Sequence, residues 1–300
     1  MKLKGYLYGC ISSAAYGFIP LFAIPMMRKG VDIDSILSYR FICASIVMCI
    51  MLMIRKIRIR VTKKELLLLA LLGLVFASSA QFLFLGYKYL PVGIASTILF
   101  TYPAFVAIIM YVLFKEKISF KTLCSIILAF IGVALLSLED NISSSLNSDT
   151  ASKMLGILFI LLSSLSYGAY MVIVNKSAVK EMNGTKLTFY AMMFSSFVFT
   201  AKALMANNGS ITPLPDLWSV ADIILLAIVP TIVSGITMVY SVHYVGSTAT
   251  AVMGAMEPLT AVLIGIIAFS EKFTFNLALG MTIIIGAVIL IILADKKQHK

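Results

Sequence analysis

The sequence predicts an all-α integral membrane fold, with ten transmembrane helices arranged as two inverted five-helix repeats around a central cavity. Three observations predict it. Of the 300 residues, 61% are hydrophobic and only 12% are charged, and the mean hydropathy is +1.02, so the chain carries more apolar surface than a water-soluble core can hide. Apolar segments of the ~20 residues that cross a ~30 Å hydrocarbon layer recur ten times. The second half of the chain also repeats the first.

The spans fall at about 4–26, 34–54, 66–87, 92–114, 120–138, 154–175, 187–206, 219–240, 247–269 and 275–294, each near the length a helix needs to cross a bilayer. They are longer than barrel strands and lack two-residue alternation, which favours helices that satisfy their own backbone hydrogen bonds. The first follows "MKLK" and resembles a secretory leader, but it is long, is interrupted by Pro20 and Pro25, and is followed by no small-residue cleavage site. It is read as a genuine first helix. The second span holds Arg40, the third Gln81, and the fourth the pair Tyr102–Pro103. "KEK" precedes the fifth span. The polar connector "EDNISSSLNSDTASK" precedes the sixth, which carries Tyr167; the seventh ends near Lys202, and the ninth contains Glu257–Pro258. Residues 1–138 thus form a first repeat, 139–153 an extracytoplasmic linker, 154–294 a second, inverted repeat and 295–300 a cytoplasmic tail.

Charge gives the orientation. With the N-terminus inside, seventeen of the twenty-four Lys and Arg residues lie on the cytoplasmic side, among them Arg55 to Lys64. Five lie outside (Arg28, Lys29, Lys88, Lys153, Lys272), and Arg40 and Lys202 remain within spans. This is the positive-inside asymmetry, and it places both termini in the cytoplasm of a multi-pass cell-membrane protein. The net charge of +11 is therefore explained by membrane-flanking loops rather than by nucleic acid. Cys10, Cys43, Cys49 and Cys124 all fall within spans without metal-ligand spacing and read as packing residues. His243, expected in a short inner loop, and His299 likewise have no metal-spaced partner.

The internal repeat is explicit. "YLPVGIASTILFTYPAFVAIIMYVLFKEKISF" (89–120) aligns without a gap on "YVGSTATAVMGAMEPLTAVLIGIIAFSEKFTF" (244–275), and "SSAAYG" (12–17) echoes "SSLSYG" (163–168). Because each set has an odd number of spans, the second enters the membrane from the opposite side. Secondary transporters use such inversion to build two gates around one midplane site. Ten spans in two five-helix sets, with "TYPAF" to "KEK" matched by "MEPLT" to "SEK", resemble the drug/metabolite transporter superfamily, EamA type. The resemblance implies that helices one to four and six to nine surround a cavity, and that helices five and ten are peripheral and pair two copies. It also implies cofactor-free transport of small metabolites, often export of amino acids or related compounds.

Candidate site residues follow from cost. Pro103 and Pro258 each remove a backbone donor, leaving the carbonyls of Leu99 and Gly254 to find partners in protein, water or substrate. Matched interruptions in two halves point to a binding site; a packed kink is the alternative. Glu257, halfway along its span, is expensive in hydrocarbon unless wet, paired or protonated. It either accepts a substrate ammonium group, carries a proton for exchange, or locks helices together. Arg40 offers a fork to a carboxylate, pairs with Glu257, or snorkels. Lys202, near its helix end, reads as a snorkelling anchor, and Glu116 and Glu271 as surface pairs. The small residues of the two "SSxxYG" motifs read as helix packing. Tyr16, Tyr167, Tyr102 and Gln81 combine apolar bulk with a polar handle suited to a cavity wall. The chain lacks "HExxH", a Walker loop and "GxSxG", which argues against an intramembrane enzyme. Transport by alternating access is the favoured reading, with a passive channel next and a scaffold or enzyme behind.

Overall fold

The computed structural model describes residues 2–90, 92–116, 119–137, 150–206 and 209–269, together with scattered positions between 275 and 290. Every regular element among them is helical. Six helical stretches are by themselves long and apolar enough to cross a bilayer: Lys2–Arg28, Ile33–Ile54, Lys63–Tyr89, Ala151–Lys176, Gly184–Ala206 and Leu217–Met253. With outer faces that expose Leu67, Phe120, Phe197 and Met205, this is a multi-pass membrane protein.

The first stretch divides into α1 (Lys2–Tyr16) and α2 (Ile19–Arg28), where Pro20 opens the second piece; a proline at the start of a helix costs no hydrogen bond. α3 (Ile33–Ile54) starts where Asp32 accepts from the Ser35 amide at 2.8 Å. α4 (Lys63–Tyr89) starts with a capping box between Thr62 and Glu65. The expected fourth span divides into α5 (Val92–Leu99) and α6 (Tyr102–Phe114), and α7 (Phe120–Ser137) follows. α8 (Thr150–Lys176) begins at Thr150 rather than at 154, taking the last residues assigned to the linker. The rest of that linker, the tail at 295–300, most of the tenth span, Lys117, Glu271 and His299 lie outside the described residues.

α9 (Gly184–Ala206) is followed by α10 (Leu217–Ala227), capped by Asp216, then by a π-helical segment (Ile228–Val233), α11 (Ser234–Met253) and α12 (Met256–Phe269). α11 contains a reversal. Gly246 has φ 83°, a left-handed conformation that glycine adopts without a Cβ penalty. The Ser241 and Thr250 hydroxyls, nine positions apart, meet at 2.9 Å, whereas a straight helix would separate them by ~13 Å. The expected inner loop between spans eight and nine is therefore a single-glycine turn, and His243 lies in helix beside it rather than in a loop.

Packing ties the early helices to the late ones. α1 lies along α11, α4 along α8 and α3 along α9. Two serine knots fasten these seams: the Ser12 hydroxyl donates to the Ser234 carbonyl at 2.9 Å, and the Ser163 hydroxyl donates to the Ser79 carbonyl at 2.8 Å. At one end of the bundle Lys29 pairs with Asp216 at 2.7 Å and Lys202 with Asp34 at 2.9 Å, so Lys202 is an ion-pair partner rather than a free snorkelling anchor. Lys176 joins Glu116 at 3.1 Å, from the end of α8 to the end of α6.

Candidate functional site

Three helix breaks meet near the middle of the bundle. Phe100–Thr101 separates α5 from α6, Gly254–Ala255 separates α11 from α12, and Gly17–Phe18 separates α1 from α2. At Pro103 and Pro258 the helices are interrupted rather than kinked. The chain stops before each of them and restarts, leaving Pro103 and Pro258 in the first turns of α6 and α12, where a missing N–H is harmless. The Gly254 carbonyl is accordingly not left open, because the Glu257 amide donates to it at 2.9 Å. A Cβ on Gly17 would sit 2.6 Å from the Glu257 carbonyl oxygen, and one on Gly254 would sit 1.3 Å from the Tyr102 hydroxyl. Backbone and phenol touch directly at these breaks.

Glu257 thus stands in the first turn of a short helix rather than halfway along a long one. That position places it where the helix dipole favours negative charge. Its side chain is buried, with 7% exposure, and it makes no ion pair or side-chain hydrogen bond among the described residues. Four phenols lie within its electrostatic reach: Tyr16 at the end of α1, Tyr87 on α4, Tyr102 at the start of α6 and Tyr167 on α8. Three of these pack as one unit. Tyr16 stacks on Tyr167 with centroids 5.6 Å apart, and Tyr102 meets Tyr167 edge-on at 5.0 Å, both preferred aromatic geometries. Tyr167 continues to Tyr170, Phe76, Phe41 and Phe199, an aromatic row that reaches α9.

Arg40 is fully buried, with 0% exposure, and it does not pair with Glu257. It braces the π segment. In an α-helix the Leu226 carbonyl would accept from residue 230, but that residue is proline and has no N–H. The Thr231 hydroxyl donates to this carbonyl instead, at 2.7 Å. Arg40 Nε in turn donates to the Thr231 hydroxyl at 2.6 Å, and Nη2 reaches the Pro230 carbonyl at 3.5 Å. Nη1 has no hydrogen-bond partner; the polar groups near the guanidinium are the phenols of Tyr16 and Tyr87. Tyr16 and Tyr87 are therefore within electrostatic reach of both the buried cation and the buried carboxylate of the described bundle.

A sequence profile of the EamA-like transporter family matches residues 3–138 and again residues 154–293. The chain belongs to this family. Among its relatives, a protein of Archaeoglobus fulgidus named an uncharacterized transporter is 29% identical over 200 residues, 66% of each chain. One of Clostridium kluyveri is 23% identical over 95% of this chain and 92% of its own. The transporter YdfC of Bacillus subtilis is 24% identical, covering 93% of this chain and 89% of its own. A crystal structure superimposes with a TM-score of 0.79 over 99% of both chains at 13% identity, a likeness of fold alone. With family membership and these relatives, the protein is a membrane transporter.

Within this EamA-like bundle the sequence-derived residues divide into two groups. Tyr16, Tyr102, Tyr167, Glu257 and the backbone before Pro258 and Pro103 come together. Arg40 joins them only through Tyr16 and Tyr87. Gln81 lies on α4 with its Oε1 buried and without a hydrogen-bond partner. Three participants were missed in the sequence: Tyr87, Pro230 and Thr231. The first lies at the end of its span beside Lys88, where an aromatic reads as an interfacial anchor. A signal for the other two was present, since Pro230 interrupts the eighth span as plainly as Pro258 interrupts the ninth.

Proposed function

We propose that this protein is a secondary transporter that exports a small polar metabolite, most favourably an amino acid or related compound, by alternating access between two inverted five-helix repeats. One observation carries the reading: a buried, unpaired carboxylate at a helix break, ringed by phenols from helices of both halves. An ionised carboxylate without a partner is costly in a membrane interior, so Glu257 calls for a cation, either a proton or a substrate ammonium group. Tyrosine faces and hydroxyls suit an ammonium group well. Competition between the two cations at one carboxylate would couple export to proton entry.

The repeat reading draws support from the serine knots. Ser79 and Ser234 are 155 positions apart, the same offset as Tyr89 and Tyr244, while Ser12 and Ser163 hold matched places in the two "SSxxYG" motifs. The bond from the first motif to Ser234 is thus the counterpart of the bond from the second motif to Ser79, as a two-fold relation between halves requires. The two stretches matched by the family profile fall on the same division. In this proposal the cell membrane holds the protein with both termini in the cytoplasm, and the cluster, now packed shut, opens alternately to each side as a central cavity. α7 presents Phe120, Leu123, Ile127 and Ile131 outward, the face on which helices five and ten would pair two copies.

Counterflow in proteoliposomes tests the proposal. Vesicles preloaded with an unlabelled amino acid should accelerate uptake of the same labelled compound, with saturation, and Glu257→Gln should reduce uptake at least tenfold and flatten its pH dependence. Linear, non-saturating flux would identify a channel. Unchanged flux in Glu257→Gln would remove this carboxylate from the site.

A further inference from the structure

The stretch "RKIRIRVTKK", residues 55–64, joins α3 to α4 and carries six cations (Arg55, Lys56, Arg58, Arg60, Lys63 and Lys64) without an acid. All six side chains are exposed, and none forms an ion pair among the described residues. The acid that follows is already occupied: Glu65 Oε2 accepts from the Thr62 amide at 2.7 Å and the Thr62 hydroxyl at 2.9 Å. Six uncompensated like charges in ten residues repel one another and favour an extended, mobile loop. The structure instead holds them on a fixed backbone.

Each step of that backbone has a tether. The Arg55 and Ile57 amides donate to the Met51 and Leu52 carbonyls at 3.0 Å as α3 ends, with Lys56 in the left-handed region at φ 52°. Ile57 and Val61 turn inward and pack against the core. Two side chains of α9 hold the extended part by its carbonyls: Tyr190 donates to Ile59 and Lys186 to Arg60, each at 2.6 Å. The strict alternation of Ile57, Ile59 and Val61 with Arg58 and Arg60 is a strand-like pattern, in which alternate side chains take opposite faces. Ile57 and Val61 pack inward while Ile59 stays exposed, and the arginines are turned out. The span ends on either side expose Met53, Ile54, Leu66 and Leu67. A fixed row of cations therefore sits immediately above apolar surface that faces acyl chains, the level at which lipid phosphates lie.

We infer that residues 55–64 form a preordered ledge that binds the phosphate headgroups of anionic membrane lipids. Lipid is the occupant that the geometry favours over a soluble polyanion. The flanking apolar residues place the ledge in the membrane plane, where headgroup phosphates are already concentrated and arginine forks can take them two oxygens at a time. Because the ledge hangs from α9 by Lys186 and Tyr190, lipid bound there braces the α3–α4 connection against α9. This inference does not depend on what the protein transports.

The test is thermal unfolding of the purified chain in a neutral detergent, with dioleoyl phosphatidylglycerol or dioleoyl phosphatidylcholine added to the micelles. Phosphatidylglycerol should raise Tm by several degrees and phosphatidylcholine should not, with the increment shrinking in high salt. Arg58→Gln/Arg60→Gln and, separately, Lys63→Gln/Lys64→Gln should each lose at least half of the increment while keeping the lipid-free Tm. Lys115→Gln/Lys121→Gln/Lys180→Gln removes charge elsewhere and should keep the increment. An equal loss in that variant would mean that net charge alone is responsible, and an equal increment from soluble glycerol phosphate would mean that no lipid is needed. Either result overturns the inference, as does an undiminished increment in both ledge variants.

Discussion

Thr231→Val is the sharpest probe of how the eighth span is held. The hydroxyl does two things at once: it supplies the donor that Pro230 denies to the Leu226 carbonyl, at 2.7 Å, and it accepts from Arg40 Nε at 2.6 Å. Valine keeps the shape and removes both. A hydrogen bond to a buried charge contributes ~1.5–3 kcal/mol, and an orphaned buried carbonyl costs ~1–3 kcal/mol, so the expected destabilisation is roughly 3–5 kcal/mol. Neutral interhelical hydrogen bonds in membrane proteins average only ~0.6 kcal/mol, which makes this prediction easy to tell from an ordinary lost contact. Reversible unfolding in mixed micelles measures it, with two second-site changes to divide the sum. Pro230→Ala returns an N–H to the Leu226 carbonyl and should recover the carbonyl part. Arg40→Met removes the charge that loses its acceptor and should recover the other part. A Thr231→Val variant within roughly 0.5 kcal/mol of the wild type, below any of these contributions, would refute the brace. So would strict additivity in both cycles.

Two further outcomes follow from contacts at the breaks and at the bundle end. Gly254→Ala should destabilise by ~1–3 kcal/mol, the usual cost of overpacking, because its Cβ would fall 1.3 Å from the Tyr102 hydroxyl; Tyr102→Leu in the same chain should recover most of that loss, and wild-type stability for Gly254→Ala would contradict the close approach. The Asp216 carboxyl is held down to about 2, chiefly by its hydrogen bond from Lys29 and then by the Ser219 amide and hydroxyl. A depressed carboxyl stabilises the fold above its unfolded value and loses that contribution as pH falls through the folded one. The small Tm advantage of the wild type over Asp216→Asn should therefore hold from neutral pH to about pH 4 and vanish towards about pH 2. An advantage unchanged at the acid end would disprove the linkage.

Legibility in the sequence depended on whether a feature was written locally. Apolar length and loop charge are sums over neighbours, so six helices long and apolar enough to cross a membrane appear within the apolar spans read from the sequence. Glu257 was conspicuous because a carboxylate in hydrocarbon demands an explanation wherever it points. What could not be read was how the chain resolves its prolines. One proline in an apolar run permits a kink, a π bulge or a stop and restart, and tertiary contacts choose among them. Pro258 is resolved by a break because Gly17 and Tyr102 close on the backbone at Glu257 and Gly254. Pro230 is resolved by a π bulge in which the Thr231 hydroxyl replaces the missing donor and Arg40, 190 positions from Pro230, donates to the Thr231 hydroxyl and the Pro230 carbonyl. The role of Arg40 was left open between substrate, Glu257 and the interface for the same reason: its hydrogen-bond partners, the Thr231 hydroxyl and the Pro230 carbonyl, are set by the bulge.

The two halves of the sequence are alike in their seams and unlike in their breaks. The serine knots recur in both. Yet α8 is continuous where α1 breaks at Gly17–Phe18, and α4 is continuous where its counterpart passes through the π segment. Interrupted helices are where backbone can bend at little cost, since their hydrogen bonds are already rearranged. Among the described elements the first, eighth and ninth spans hold three of the four interruptions, and they meet at Glu257, Tyr16 and Arg40. The unbroken α4 and α8 supply Tyr87 and Tyr167 from a stiffer frame. A change of charge at Glu257 would therefore act on a deformable set of helices held against a rigid one, with Tyr16 within electrostatic reach of both the carboxylate and the guanidinium that braces the bulge. Tyr16→Leu should on this reasoning slow transport more than it weakens amine binding, because it severs the bulge from the carboxylate while leaving Tyr87, Tyr102 and Tyr167 in place; equal losses in rate and affinity would show that Tyr16 is only a wall.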